Sequence, residues 1–268
     1  MKKSIDIINK FPRTQHIQGS RLQAGDEDLL QVPFASIANR HLVVEEKIDG
    51  ANCAISFTSD GELLLQSRGH YLVGGAREKH FDLFKLWAST NKAGLWNALG
   101  DQYVMYGEWM YAKHTVFYNA LPHYFMEFDV LDKTTMSYLD TPSRGILLAG
   151  LPICSVPVLY TGKLETLEDL TSLLGDSLYI TSTAEDDLVS ISKDRNQDVE
   201  KVMKETSLTR AMEGLYIKVE DEATGLLVER YKFVRASFHQ AIADSEGHWL
   251  DRAIIPNQLA DGVDIFAM

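Results

Sequence analysis

Cysteine is nearly absent from this chain, with only Cys53 and Cys154 in 268 residues. The two lie far apart and form no metal-ligand spacing, and a reduced cytoplasmic compartment fits so low a usage. The eight histidines show no zinc-like spacing either. There is no long uncharged apolar run and no basic apolar leader, so neither membrane insertion nor secretion is expected. No repeat, low-complexity tract or Pro/Gly/Ser-rich linker divides the chain. Positive charge is also scarce: 26 Lys and Arg stand against 38 Asp and Glu, a net charge of −12. That balance argues against a broadly basic nucleic-acid-binding surface. Phosphate contacts need only a local cluster of Lys and Arg, however, so it predicts modest intrinsic affinity or a partner that supplies it.

What is present is the material of an ordinary soluble globular protein, 45% hydrophobic, 24% charged and 10% aromatic. The length suits one large domain or two small ones. Strand-like stretches dominate. His41 to Glu46 is apolar and β-branched. Asn52 to Thr58 alternates, turns at Ser59-Asp60-Gly61 and returns through Glu62 to Gln66, which reads as a hairpin. Further strands are expected at Tyr103–Glu108, Tyr124–Leu131, Gly214–Val219 and Leu226–Phe233. Helical periodicity from Arg77 to Thr90 puts Phe81, Phe84, Leu86 and Trp87 on one face. Thr166, with Asp169 three residues on, is an N-cap for a helix carrying Leu167, Leu170, Leu173 and Leu174 and ended by Gly175. A third helix is expected over Asp198 to Thr206. This mixture predicts an α+β fold built on antiparallel sheets, without the regular alternation of a doubly wound one.

Lys47 stands in Glu45-Glu46-Lys47-Ile48-Asp49-Gly50-Ala51-Asn52, where one expected strand ends and the next begins. A lysine there is held rigidly and points into a cleft, and Gly50 permits a tight turn and a close ligand approach. Taken alone, Lys-x-Asp-Gly reads as a surface turn. Its companions, in order, are Ser67-Arg68-Gly69, Tyr106-Gly107-Glu108-Trp109, Phe125-Met126-Glu127-Phe128-Asp129-Val130, Glu213-Gly214-Leu215-Tyr216-Ile217-Lys218 and Arg230-Tyr231-Lys232-Phe233.

Order and spacing of these blocks resemble the covalent nucleotidyltransferase superfamily of ATP-dependent DNA and RNA ligases and mRNA capping enzymes. The resemblance implies an ATP-grasp-like catalytic domain of antiparallel sheets flanked by helices. It implies Lys47 as the nucleophile that takes AMP from ATP and releases pyrophosphate. Glu46 and Asn52 belong to the nucleophile block and to the nucleotide site. Glu108 would hold the ribose hydroxyls and Phe128 would stack on adenine. Lys232 would contact the α-phosphate, with Lys218 and Arg230 in the same cluster. Arg68 would bind phosphates or the 5′-phosphate of the acceptor strand. Glu213, with Glu108 or Asp49, would anchor Mg²⁺ or Mn²⁺ directly or through water.

The residue types suit that chemistry. Attack needs a neutral amine, yet free lysine titrates near ~10.4. Arg230, Lys232 and a bound metal are the cations expected to lower that value. Asp49 equally orients the loop. The closing motif has two registers open, Arg230 with Lys232 or Lys232 with Arg235. Ordinary structural readings also stand: Phe128 as a core residue, Glu108 and Glu213 as strand-end charges, and His114 as a solvated loop histidine. Trp87 and Trp96 are expected to pack helices. Arg13, His16 and Arg21 read equally as a nucleic-acid path or as a solvated loop.

Related DNA ligases and capping enzymes carry an oligonucleotide-binding barrel after the closing motif, on the order of a hundred residues. The tail after Lys232 is far shorter, so a 1–235 adenylyltransferase domain with a 236–268 tail packed on it, and no such barrel, is expected. Glu46-Lys47-x-x-Gly50-x-Asn52 also looks more like the RNA ligase branch. The expectation is an ATP-dependent RNA ligase of RNA repair, joining a 3′-hydroxyl to a 5′-phosphate, with RNA ends or a nicked duplex as substrate and a protein partner for end recognition. A DNA nick-sealing ligase, a capping-type transferase and a non-catalytic nucleotide- or RNA-binding subunit are the alternatives.

Overall fold

Apolar residues at period two generate strands, and in the computed structural model these pair into one long, mostly antiparallel sheet. The structure describes residues 8–22, 25, 26, 28–238 and 254–267. Strands β1 (Gln15–Ile17), β2 (Gln31–Val32), β3 (Leu42–Lys47), β4 (Ala51–Phe57) and β5 (Leu63–Ser67) precede helices α1 (Asp82–Thr90) and α2 (Lys92–Leu99). Then follow β6 (Tyr103–Trp109), β7 (Phe125–Asp132), β8 (Ser137–Leu139), α3 (Thr141–Leu147), β9 (Cys154–Ser155) and β10 (Val158–Gly162). Helices α4 (Leu167–Thr171), α5 (Ala184–Asp194) and α6 (Val199–Lys204) lead into the final hairpin of β11 (Gly214–Asp221) and β12 (Leu226–Val234).

The strand order is β10-β3-β11-β12-β8-β7-β6-β4-β5, with β1 and β2 added in parallel beside β12, and β9 in parallel beside β7. Short β8 touches β12 through Leu139 and Tyr138 and β7 through Tyr138 and Ser137, so it hinges two larger halves. Each half buries one face under its own helices. Phe84, Trp87, Leu95 and Leu99 of α1 and α2 pack with Phe57, Met105 and Phe125. Leu170 of α4 packs with Leu42, Val44, Leu215 and Ile217. A fully buried side chain of this size contributes about 1.5–3 kcal/mol, so each face is firmly closed. The site forms where the halves meet.

All seven expected strands are present, with ends shifted by a residue or two. The hairpin turn is closed by Gly61 at φ +75°, whose amide donates to the Thr58 carbonyl at 3.0 Å. The helix expected from Arg77 opens as a tighter 3-10 turn over Ala76–Phe81 before α1. Leu86 is 57% exposed, because the buried face of α1 is set by Phe84, Trp87 and Ala88. Thr166 and Asp169 form a reciprocal capping box, but α4 stops at Thr171, short of Gly175. The third helix is α6, capped by Asp198. Helices α2, α3 and α5 were not expected.

Of the tail, residues 236–238 and 254–267 are described, and 239–253 and 268 lie outside the described residues. Ala112 bridges Pro256 and Leu121 bridges Leu259, so the described residues 254–267 run along the connection between β6 and β7. No helix among the described residues is long and apolar enough to cross a membrane.

Candidate active site

Strand β3 delivers Lys47 at its last position, and β11 begins opposite it with Gly214. Glu213, one residue earlier, is 1% exposed and accepts a hydrogen bond from Lys47 Nζ at 2.7 Å. Gly214 is required there by close approach. A Cβ at that position would sit 2.0 Å from the Phe233 carbonyl oxygen, so only glycine lets β12 lie against β11 beside the lysine.

Ile48-Asp49-Gly50 then crosses from β3 to β4. Asp49 Oδ2 accepts from the Thr115 and Val116 amides at 2.7 and 3.0 Å, and the Asp49 amide donates to the Tyr118 hydroxyl at 2.9 Å. Gly50 serves packing more than turning. A Cβ would lie 2.7 Å from Met110 Sδ and 2.9 Å from the Trp109 carbonyl. Asn52 on β4 is paired with Glu108 on β6. The register shift between Tyr106 and Gly107 of β6 leaves Phe128 of β7 without a residue opposite, and its half-buried ring meets Phe11 edge-on at 5.1 Å and Tyr216 at 6.0 Å.

These side chains line one cleft of about 530 Å³, a size suited to a small ligand. Glu46, Lys47, Asp49, Asn52, Arg68, Glu108, Phe128, Glu213 and Lys232 all reach it. His114, from the connection that holds Asp49, reaches it too.

Two cofactor-site candidates do not reach the lining. Lys218 is fully buried, donating to Glu45 Oε1 at 2.8 Å and to the Phe128 carbonyl, with Asp129 at 3.4 Å. Arg230 lies 3.6 Å above the Tyr138 ring and 3.7 Å from Asp129. Both sit behind Phe128 and Tyr216, under the cleft wall. Arg235 donates to the Met212 carbonyl at 2.7 Å and to Ser237 and Thr209, so neither register places an arginine in the lining.

The charge around Lys47 is the reverse of the expected cationic surround. Burial alone would pull its ammonium down, but Glu213 first, then Asp49 and Glu108, outweigh that and hold it above the ordinary lysine value. The carboxyls respond in kind. Burial pushes Glu108 up to about 8, with Asp49 and Glu213 adding to the rise and Lys47 opposing it. Burial likewise raises Glu46 and Asp49. Lys232 is the lysine that is lowered, through burial and then through Lys47, against a hydrogen bond to Asp26.

Asp26 was not singled out from the sequence, and neither was Phe11. Asp26 pairs with Lys232, accepts from Arg13 at 3.3 Å and meets His16 Nε2 at 3.2 Å. His16 is therefore a buried residue, and nothing local in residues 8–26 announces contact with a strand two hundred residues later. Tyr216 had a usable signal: alternation along β11 places it on one face with Lys218 while Leu215 and Ile217 face the core.

Among the described residues no three His, Cys, Asp or Glu side chains form a metal-binding group. The donor set fits a cation that retains most of its water and takes one or two carboxylates, and Glu213 and Glu108 are those available. Asp49 fits that role poorly, since its carboxylate is committed to two backbone amides.

Two solved structures of Naegleria gruberi RNA ligase resemble the fold. A mutant with AMP and Mn aligns at TM-score 0.51 and 18% identity, over 85% of this chain and 56% of that one. The enzyme with PPi aligns at TM-score 0.50 and 17% identity, over 86% of this chain and 59% of that one. The chain thus spans little more than half the length of those proteins, and at such identity the likeness shows the fold alone. No match was found among curated proteins. The family model described as RNA ligase matches residues 40–234, well over half of the sequence, and the chain therefore belongs to the RNA ligase family.

Proposed function

We propose that this protein is an ATP-dependent RNA ligase that joins a 3′-hydroxyl to a 5′-phosphate through a lysyl-AMP intermediate on Lys47. The observation that carries the reading is the pairing of Lys47 with Glu213 at 2.7 Å inside a cleft lined by Asn52, Arg68, Glu108, Phe128 and Lys232.

Each residue takes a role that its surroundings suit. Lys47 Nζ forms the bond to the α-phosphorus of ATP as the bond to pyrophosphate breaks. Glu213 is placed to receive the ammonium proton. Lys232 donates to α-phosphate oxygens, exchanging its Asp26 partner for the ligand. Arg68, exposed at the rim, offers a fork of donors to phosphate, either of the nucleotide or of the 5′ end. Glu108 and Asn52, neighbours across two strands, face the ribose. Phe128 stacks on adenine, and Tyr216 bounds the same space. Glu46, a carboxyl one residue from the nucleophile, accepts from the exocyclic amine that adenine has and guanine lacks at that position. Lys218 and Arg230 act from behind by fixing Phe128, Tyr216 and Asp129. Glu213 and Glu108 would hold Mg²⁺ or Mn²⁺, which would supply positive charge to the phosphates and offset the acidic floor.

The remainder of the reading is RNA ends or a nicked duplex as substrate, a cytoplasmic role in RNA repair, and a protein partner that strengthens end recognition. Residues 1–235 act as the adenylyltransferase domain, and the described tail residues 254–267 lie against its β6–β7 connection.

Incubation with ATP labelled at the α-phosphate and Mg²⁺, followed by denaturing electrophoresis, is the test. Labelled protein is expected with ATP, little with GTP, and none in Lys47→Ala. Label that persists in that variant removes Lys47 as the nucleophile. Nicked duplexes with RNA or DNA on the 3′-hydroxyl side check the second half, and equal sealing of an all-DNA nick overturns the RNA assignment.

A further inference from the structure

Asn257 lies beyond residues 40–234, yet it is 1% exposed and uses every polar group it has on one stretch of chain. Its Nδ2 donates to the Met110 carbonyl at 2.6 Å, and its Oδ1 accepts from the Tyr118 amide at 2.9 Å. Its own amide donates to the Tyr111 carbonyl at 2.8 Å, and its carbonyl accepts from the Tyr124 hydroxyl at 2.9 Å. Four hydrogen bonds from one buried residue pin both ends of the connection between β6 and β7.

That connection in turn grips the turn after Lys47. Tyr118, whose backbone Asn257 holds, accepts from the Asp49 amide through its hydroxyl. Thr115 and Val116 donate both amides to the Asp49 carboxylate. Met110, whose carbonyl Asn257 holds, presses its sulfur on Gly50. A buried asparagine with all its groups paired is rigid, because breaking any one bond leaves an unsatisfied polar atom away from water.

We propose that Asn257 is a positioning residue for adenylyl transfer: through Met110 and Tyr118 it fixes the Asp49-Gly50 turn and thereby the aim of Lys47 at the α-phosphorus. The inference rests on Lys47 being the nucleophile. It adds a part of the site that lies outside the matched family region and touches neither nucleotide nor nucleophile.

The experiment compares the full chain with Asn257→Asp and Tyr118→Phe in single-turnover labelling by α-labelled ATP over a range of ATP concentrations. Asn257→Asp keeps the shape and the acceptor but turns the Met110 contact from donor to acceptor. Tyr118→Phe removes only the hydroxyl that takes the Asp49 amide. Both are expected to slow adenylylation at saturating ATP by about tenfold or more while KM for ATP changes less than about threefold, the pattern of lost aim. A residue that merely stabilises the fold would lower the labelled fraction and leave the rate constant of the folded molecules unchanged. Rates at the wild-type value, or a raised KM with an unchanged limiting rate, overturn the inference. Should Asn257→Asp fail to fold, Tyr118→Phe decides alone. Unlabelled wild-type protein overturns the ligase reading instead, and so the two failures are distinct.

Discussion

His123 is fully buried against Trp87, with ring centroids 4.9 Å apart, and its Nδ1 accepts from the Phe125 amide at 2.8 Å. Burial pushes its titration down to about 4 from the ordinary 6.5, only partly opposed by the Phe125 backbone. A value lower in the folded state than in the unfolded one fixes the sign. The stability this group contributes is full above pH 6.5 and is lost as pH falls through 4, because the unfolded chain takes up the proton first. At 1.36 kcal/mol per unit the loss is about 3 kcal/mol. Urea midpoints from pH 7 to pH 4 are expected to fall less steeply in His123→Phe than in the parent. Parallel slopes would remove His123 as a source of acid sensitivity. The same reasoning explains Lys47 and Lys232. In both, burial disfavours charge, and the nearest carboxylates decide the outcome: Lys47 faces Glu213, Asp49 and Glu108, whereas Lys232 has Asp26 with Lys47 close by.

At the scale of elements, α3 does more than connect. It opens on an Asp140 cap that accepts from the Ser143 amide at 2.9 Å, and this presents Arg144 between two strands. Arg144 donates to Glu127 on β7 and Glu45 on β3, both at 2.8 Å and all three buried. Glu45 stands two residues before Lys47 and Glu127 one before Phe128, so a single guanidinium ties together the strands that carry these two cleft residues. Arg144→Met leaves two carboxylates buried without it and is expected to cost about 3–5 kcal/mol in urea unfolding. Adding Glu127→Gln should recover part of that, and strict additivity would show that the pair is uncoupled. None of this was legible beforehand. Strands β3 to β7, β11 and β12 were, because their apolar alternation and glycine turns are local. Helices α2, α3 and α5 were missed. The exposed faces of α3 and α5 dilute the period, and Gly94 and Gly145 read as breakers. Lys218 and Arg230 could be placed on a shared sheet face from the sequence. That Phe128 and Asp129 would cover them depends on how the two sheet halves fold together, which no local pattern encodes.

For the whole molecule, a net charge of −12 and membership of the RNA ligase family pull in opposite directions. The geometry resolves part of the tension. Acidic groups in and beside the cleft are neutralised in place, Glu213 by Lys47 and Asp26 by Lys232 and Arg13. Arg68 at the rim remains exposed toward an incoming phosphate. A nucleic acid bound through so small a basic area releases few counterions. Binding of a 5′-phosphorylated nicked RNA duplex is therefore expected to show a log–log salt slope of about −2 to −3, a loss of roughly fifteenfold to sixtyfold between 50 and 200 mM salt. Proteins with broad basic surfaces lose far more over that range. Arg68→Ala should flatten the slope by about one unit and weaken binding alike for duplexes of different sequence. Fluorescence anisotropy at several salt concentrations measures both quantities. A slope near −8 would mean that many more phosphates are engaged than the cleft rim supplies, and would move the RNA path onto a different face of the protein.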